Sequence, residues 1–91
     1  MKIWLDDIRP APEGYIWCKS VNEAISKVTL DTELADIDHD LGEYAKDGGD
    51  AIKFMDYLVE NNILIPLVFH TANPVGRANM ERMYNRYWKG I

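Results

Sequence analysis

The sequence predicts an α/β domain: a four-stranded, mainly parallel sheet with three helices. Three observations lead there. Short apolar runs alternate with stretches whose apolar residues recur at helical spacing. The runs end at polar residues, as buried strands do where they meet a loop. The chain has 91 residues, 47% of them hydrophobic, which is room for one core and not for two. A single unit over residues 1–91 is therefore expected.

Each element has a local reason. Ile3-Trp4-Leu5 is an apolar run stopped by Asp6-Asp7 and reads as the first strand. Arg9-Pro10-Ala11-Pro12-Glu13-Gly14 breaks both helix and sheet and reads as a loop. Tyr15-Ile16-Trp17-Cys18 is a second strand. Ser20 and Glu23 stand three apart before Ala24, Ile25 and Val28, the signature of a capping box, and a helix of about three turns should follow. Leu34-Ala35-Asp36-Ile37 is a third strand running into Asp38-His39-Asp40-Leu41-Gly42. Residues 43–49 are polar, carry two glycines and read as a loop. From Asp50, the apolar residues Ala51, Phe54, Met55, Leu58 and Val59 mark a second helix up to Asn61-Asn62. Leu67-Val68-Phe69, after Pro66, is the fourth strand. Asn73 is a good cap, and Pro74 suits the first helical position. Met80, Met83, Tyr84, Tyr87 and Trp88 then line the core face of a third helix. The connection over residues 8–14 is shorter than the ~12 residues a parallel crossover usually takes, so an antiparallel second strand stays open.

Composition narrows the function classes. Ten Lys+Arg against fifteen Asp+Glu leave a net charge of −5, which argues against a long nucleic-acid duplex or an anionic membrane as partner. No apolar run is long enough to span a membrane, and two carboxylates come too early for a signal-peptide core. The single cysteine, Cys18, reads as a buried, inert thiol. A cytoplasmic setting is the expectation.

The chemistry gathers where strands end. In an open parallel sheet, ligands bind beyond the carboxyl ends of the strands. Asp6-Asp7, Asp38-His39-Asp40 and His70-Thr71-Ala72-Asn73 would all meet on that edge. Carboxylates brought together repel unless neutralised, and a hard divalent cation such as magnesium does this with oxygen ligands. Asp6, Asp7, Asp38 and Asp40 are thus the metal candidates. His39 and His70, the only histidines, are candidates for general acid and base. Asn73-Pro74-Val75-Gly76-Arg77 reads as an anion cradle: a helix start has unpaired N–H groups, Gly76 leaves space for close approach, and Arg77 adds a fork of donors. Arg9 can point the same way, and so can Thr71. Arg82, Arg86 and Lys89 form a basic stripe on the last helix, either a solvated face or a docking strip for an acidic protein partner.

These residues resemble the receiver domains of two-component signalling. Asp6 and Asp7 match the metal-binding acidic pair, Asp38 the phosphoacceptor, and Thr71 the hydroxyl on the phosphoryl group. The receiver's first helix is replaced by the Pro-rich loop, and the fifth strand with its lysine is missing. A closer resemblance is to the cyclic-phosphate-processing receiver-like domains. It rests on Leu5-Asp6-Asp7-Ile8-Arg9-Pro10, on Asp38-His39-Asp40-Leu41-Gly42 and on His70 through Met80.

That resemblance implies a small three-layer, receiver-like (flavodoxin-like) fold. It also implies metal-dependent binding and hydrolysis of a cyclic phosphate, on a nucleotide or on an RNA end with a 2′,3′-cyclic phosphate. Asp6, Asp7 and Asp38 would hold magnesium, with Asp40 as a further ligand or a support behind it. His39 or His70 would protonate the leaving sugar oxygen, and Thr71, Asn73 and Arg77 would hold the phosphate. The rival readings are a signalling receiver phosphorylated on Asp38, and a module that binds a nucleotide or a protein without catalysis.

Overall fold

Strand β1 (Lys2–Leu5) lies inside the sheet, with β2 (Tyr15–Cys18) on one side and β3 (Leu34–Ile37) on the other. β4 (Leu67–Phe69) completes the order β2-β1-β3-β4, and every pairing is parallel. Three helices connect and follow the strands: α1 (Val21–Lys27), α2 (Ala51–Glu60) and α3 (Pro74–Tyr87). This computed structural model describes residues 1–89.

The second strand is parallel, in register Lys2↔Tyr15 to Leu5↔Cys18. A helix is not needed to return the chain. A four-residue strand is only about 13 Å long, and residues 6–14, although bent at 7–9 and turned at 13–14, cover that distance with slack.

The helices lie on one face of the sheet. Ile3, Leu5, Cys18, Ala35, Ile37 and Leu67 point that way and are buried. They meet Val21 and Ala24 of α1, Phe54, Met55 and Leu58 of α2, and Met80 of α3 in one cluster. The alternate residues, Trp4, Tyr15, Trp17, Leu34, Asp36 and Val68, are at most half-buried. Right-handed crossovers explain the arrangement. β2 to β3 and β3 to β4 step the same way across the sheet, so α1 and α2 share a face. β1 to β2 steps back, so its connection belongs to the other face. There the loop is tied down by the Trp4 indole N–H, which donates to the Arg9 carbonyl at 2.8 Å. The strand and helix numbers are as expected. The third layer, however, is this loop and not a layer of helix.

The free edge of β4 is closed by side chains of the last helix. The Trp88 indole donates to the Ile65 carbonyl at 2.8 Å, and Arg77 Nη2 to the Phe69 carbonyl at 2.8 Å. A fifth strand would pair along this edge.

Three local expectations need correction. α1 has two turns and not three, because the threonines after it satisfy backbone groups locally. Thr32 Oγ1 accepts from the Thr29 N–H at 2.9 Å, and Thr29 Oγ1 from the Asp31 N–H at 3.2 Å. The loop expected over residues 43–49 contains a 3-10 helix, Gly42–Lys46, whose first residue has φ 54°. Tyr87 is 41% exposed and lies off the core face of α3, whereas Trp88 is buried.

Candidate active site

The strand ends bring Asp6, Asp7, Asp38, His70 and Thr71 to one edge, and each side chain is held by a local device. Asp6 ends β1 in an Asx turn, with Oδ1 accepting the N–H groups of Ile8 and Arg9, both at 2.9 Å. Its Oδ2 lies 2.8 Å from His70 Nε2. Burial pushes the Asp6 carboxyl up. The two backbone N–H groups and the His70 ring outweigh this and hold it below the ordinary value. Asp38 ends β3, is buried, and accepts the His39 N–H at 2.7 Å.

Asp7 faces the opposite balance. Its carboxyl is raised, first by burial and then by the neighbouring charges of Asp6, Asp38 and Asp40. Among the described residues neither Asp7 nor Asp38 has a cationic partner.

His70 is held more tightly than a strand-end residue need be. Nε2 faces Asp6, Nδ1 lies 2.6 Å from Asp36 Oδ1, and the ring stacks on Trp4 at 3.9 Å and 4°. Both polar contacts are hydrogen bonds when each ring nitrogen carries a hydrogen. Arg9 closes the group. Its Nη1 donates to the His70 carbonyl at 2.9 Å and its Nε lies 3.8 Å from Asp6 Oδ2.

His39 belongs to a second group on the same edge. Its Nδ1 lies 2.9 Å from Asp40 Oδ1, and Nε2 has no partner among the described residues. Asn73 caps α3 by accepting the Gly76 N–H at 3.0 Å, and its amide donates to Asp40 Oδ2 at 3.0 Å. The bonds from His39 and Asn73 hold the Asp40 carboxyl below its ordinary value. Thr71 is buried, and its Oγ1 accepts the Asn73 N–H at 3.1 Å.

The candidate ligands therefore divide. Atoms of Asp6, Asp38 and His70 lie within 4.8 Å of one another, as do atoms of His39, Asp40 and Asp50. Asp40 stands with His39 and not with Asp6 and Asp38.

Two parts of the expected anion cradle are otherwise employed. A side chain on Gly76 would sit 2.5 Å from His39 Cγ, so the missing side chain makes room for the imidazole and not for a ligand. Arg77 is half-buried, and its Nη2 turns inward to the carbonyls of Phe69 and Thr71, at 2.8 and 3.4 Å. Main-chain carbonyls at and just beyond the end of β4 hold its guanidinium.

Asp36 and Asp50 went unnoticed in the sequence. A signal existed for Asp36: an acid within an apolar strand must find a partner. Asp50 is the N-cap of α2 but makes no side-chain capping bond; its Oδ1 accepts the Leu41 N–H at 3.1 Å. Cys18 is buried as expected, its thiol pushed up to about 11 by burial first and by Glu23 next.

A hard cation fits this donor set. Among the described residues, Asp6, Asp38 and His70, and His39, Asp40 and Asp50, are the two groups whose ligand atoms stand close enough together to hold one. No helix among the described residues is long and apolar enough to cross a membrane. The family described as cyclic-phosphate processing receiver domains matches the chain over residues 1–86. No curated protein and no solved structure matches it significantly.

Proposed function

This chain belongs to the family of cyclic-phosphate processing receiver domains, and we propose that it binds a cyclic phosphate at the Asp6–Asp38–His70 edge and opens it by hydrolysis with a divalent cation. The observation that carries the reading is the group of Asp6, Asp38 and His70 at the strand ends, whose ligand atoms lie within 4.8 Å of one another. Such a group is relieved by a cation, and the cation in turn attracts a phosphate. A bound magnesium ion would neutralise the phosphate oxygens. Asp7 and Asp38 would hold it, with Asp6 orienting the group from behind.

In the hydrolysis a water oxygen bonds to phosphorus and gives up a proton, one phosphorus–sugar oxygen bond breaks, and the sugar oxygen takes up a proton in exchange. His39 suits the proton transfer. Its Nδ1 is oriented by Asp40 and its Nε2 is unengaged, whereas both nitrogens of His70 are held by carboxylates. His70 instead keeps Asp6 in position. The Thr71 hydroxyl hydrogen and the Arg9 guanidinium, half in solvent, are available to phosphate oxygens. The negative balance of the chain suits one nucleotide or an RNA end better than a duplex. Residues 1–91 act as one unit in this reading, in the cytoplasm.

The test is incubation with magnesium and a panel of 2′,3′- and 3′,5′-cyclic nucleotides, followed by chromatography. A phosphate monoester is expected, at a rate that falls with chelator. No product from any member, together with histidine-independent labelling of Asp38 by acetyl phosphate, would replace this reading by a signalling receiver. Tight binding without product would leave a non-catalytic module.

A further inference from the structure

The sheet face turned away from the helices carries rings and lysines where a packed face would carry aliphatic side chains. Trp4, Tyr15 and Trp17 stand on it, with Lys2 Nζ 5.6 Å from the Tyr15 ring centre and Lys19 Nζ 4.4 Å from that of Trp17. Trp4 is already engaged, stacked on His70 and met edge-on by Tyr15 at 6.0 Å. Trp17 differs. Among the described residues it pairs with no other ring. Its indole N–H donates to the Asp6 carbonyl at 2.7 Å, so its edge is anchored to the centre of the acidic edge. Lys19 Nζ stands over the partly exposed ring, and such a contact is weak where water reaches it.

We propose that Trp17 is the stacking platform for the base of the nucleoside whose phosphate is held at the Asp6–Asp38–His70 edge, with Lys19 turning from the ring to the ligand's anionic group. The inference rests on the proposed function and deepens it by naming the residue that recognises the base. Three features favour this occupant. The bond from the indole to the Asp6 carbonyl ties the ring to a residue whose carboxylate belongs to the phosphate site. Every base has a π-face, so an aromatic ring takes bases without needing shape. Lys19, at the ring, offers an anionic ligand group a cation in a chain of net charge −5.

The test compares two ligands in the presence of magnesium: adenosine 2′,3′-cyclic phosphate, and methyl riboside 2′,3′-cyclic phosphate, which has no base. Calorimetric titration of Trp17→Ala should show a loss of roughly 5- to 150-fold for the adenosine ligand, the range that stacking supplies. Affinity for the base-free ligand should be unchanged. Trp17→Phe keeps a ring and loses the indole N–H, so it should retain most of the adenosine affinity and serves if the alanine variant fails to fold. No loss with either variant, or equal losses on both ligands, would overturn the platform and leave the phosphate site standing. Failure of the wild-type protein to bind either ligand would instead remove the proposed function and this inference with it.

Discussion

Nδ1 of His70 lies 2.6 Å from Oδ1 of Asp36, a carboxylate carried in the middle of β3. With Asp6 on Nε2, the imidazole joins two acids from two strands, and all three side chains are largely shielded from water. His70→Ala would leave both acids without this partner. Breaking a buried pair on one side costs up to about 3–5 kcal/mol, so the melting temperature should fall sharply. An unchanged melting curve would show that the pairs contribute nothing.

Acid should weaken the same group through Asp6. Its folded-state carboxyl sits below the ordinary 3.8. The stabilisation it brings is complete above that ordinary value and is lost as pH falls through the lower folded value. Urea denaturation followed from pH 6 down to pH 2 should show a decline in stability over this window. In Asp6→Asn, which is less stable at pH 6, the decline should be shallower.

His39 should behave differently from His70. Among the described residues its side chain has one polar partner, the exposed Asp40. His39→Ala should keep the wild-type stability within about 1 kcal/mol and still bind the cyclic phosphate. Turnover should fall by ~10²–10⁴-fold, the usual contribution of a general acid or base. Wild-type turnover in this variant would take His39 out of the reaction.

The Asp7 carboxyl gives a signature in metal-free buffer. Its folded value is raised, so the stability it brings is greatest below the ordinary 3.8 and is lost as pH rises through the raised folded value. At pH 7 the repulsion is in full force, and Asp7→Asn should raise the melting temperature in chelator. Magnesium should raise that of the wild type, by the equivalent of ~2.7 kcal/mol at a hundred times its dissociation constant. Asp7→Asn and Asp38→Asn should both blunt this response. Equal melting of the wild type with magnesium and with chelator would count against a metal.

Gly76 is the point where α3 touches His39. A methyl group there meets the ring at 2.5–2.8 Å, so Gly76→Ala must displace the imidazole. Overpacking of this kind costs typically ~1–3 kcal/mol, and turnover should drop further than stability does. Retained activity would mean that the ring has room to move without consequence.

Arg77→Ala should be a stability variant. It removes a charged donor from the Phe69 carbonyl, worth about 1.5–3 kcal/mol. Urea denaturation should register that loss, while titration with a cyclic nucleotide should give wild-type affinity. The reverse pattern, full stability with weakened binding, would return Arg77 to the phosphate.

What the sequence determined by itself is whatever depends on neighbours along the chain. The strand runs and their polar ends are local patterns, and so is the Asn73 cap of α3. Ser20 is local too, its Oγ accepting the Glu23 N–H at 3.1 Å, although the Glu23 carboxylate reaches the Lys19 N–H and not that of Ser20. The strand ends in turn put Asp6, Asp38 and His70 on one edge as soon as the sheet is parallel. Tertiary structure alone decided which partner each side chain took. Asp36 and His70 stand 34 residues apart in the chain, and Asp6 and His70 64 apart, and no spacing rule links such pairs. Gly76 and Arg77 were legible as a helix start. Their use, space for His39 and a cap on β4, follows from what packs against that start. A residue's type limits the bonds it can make, but the element packed against it decides which one forms, and that element comes from distant sequence.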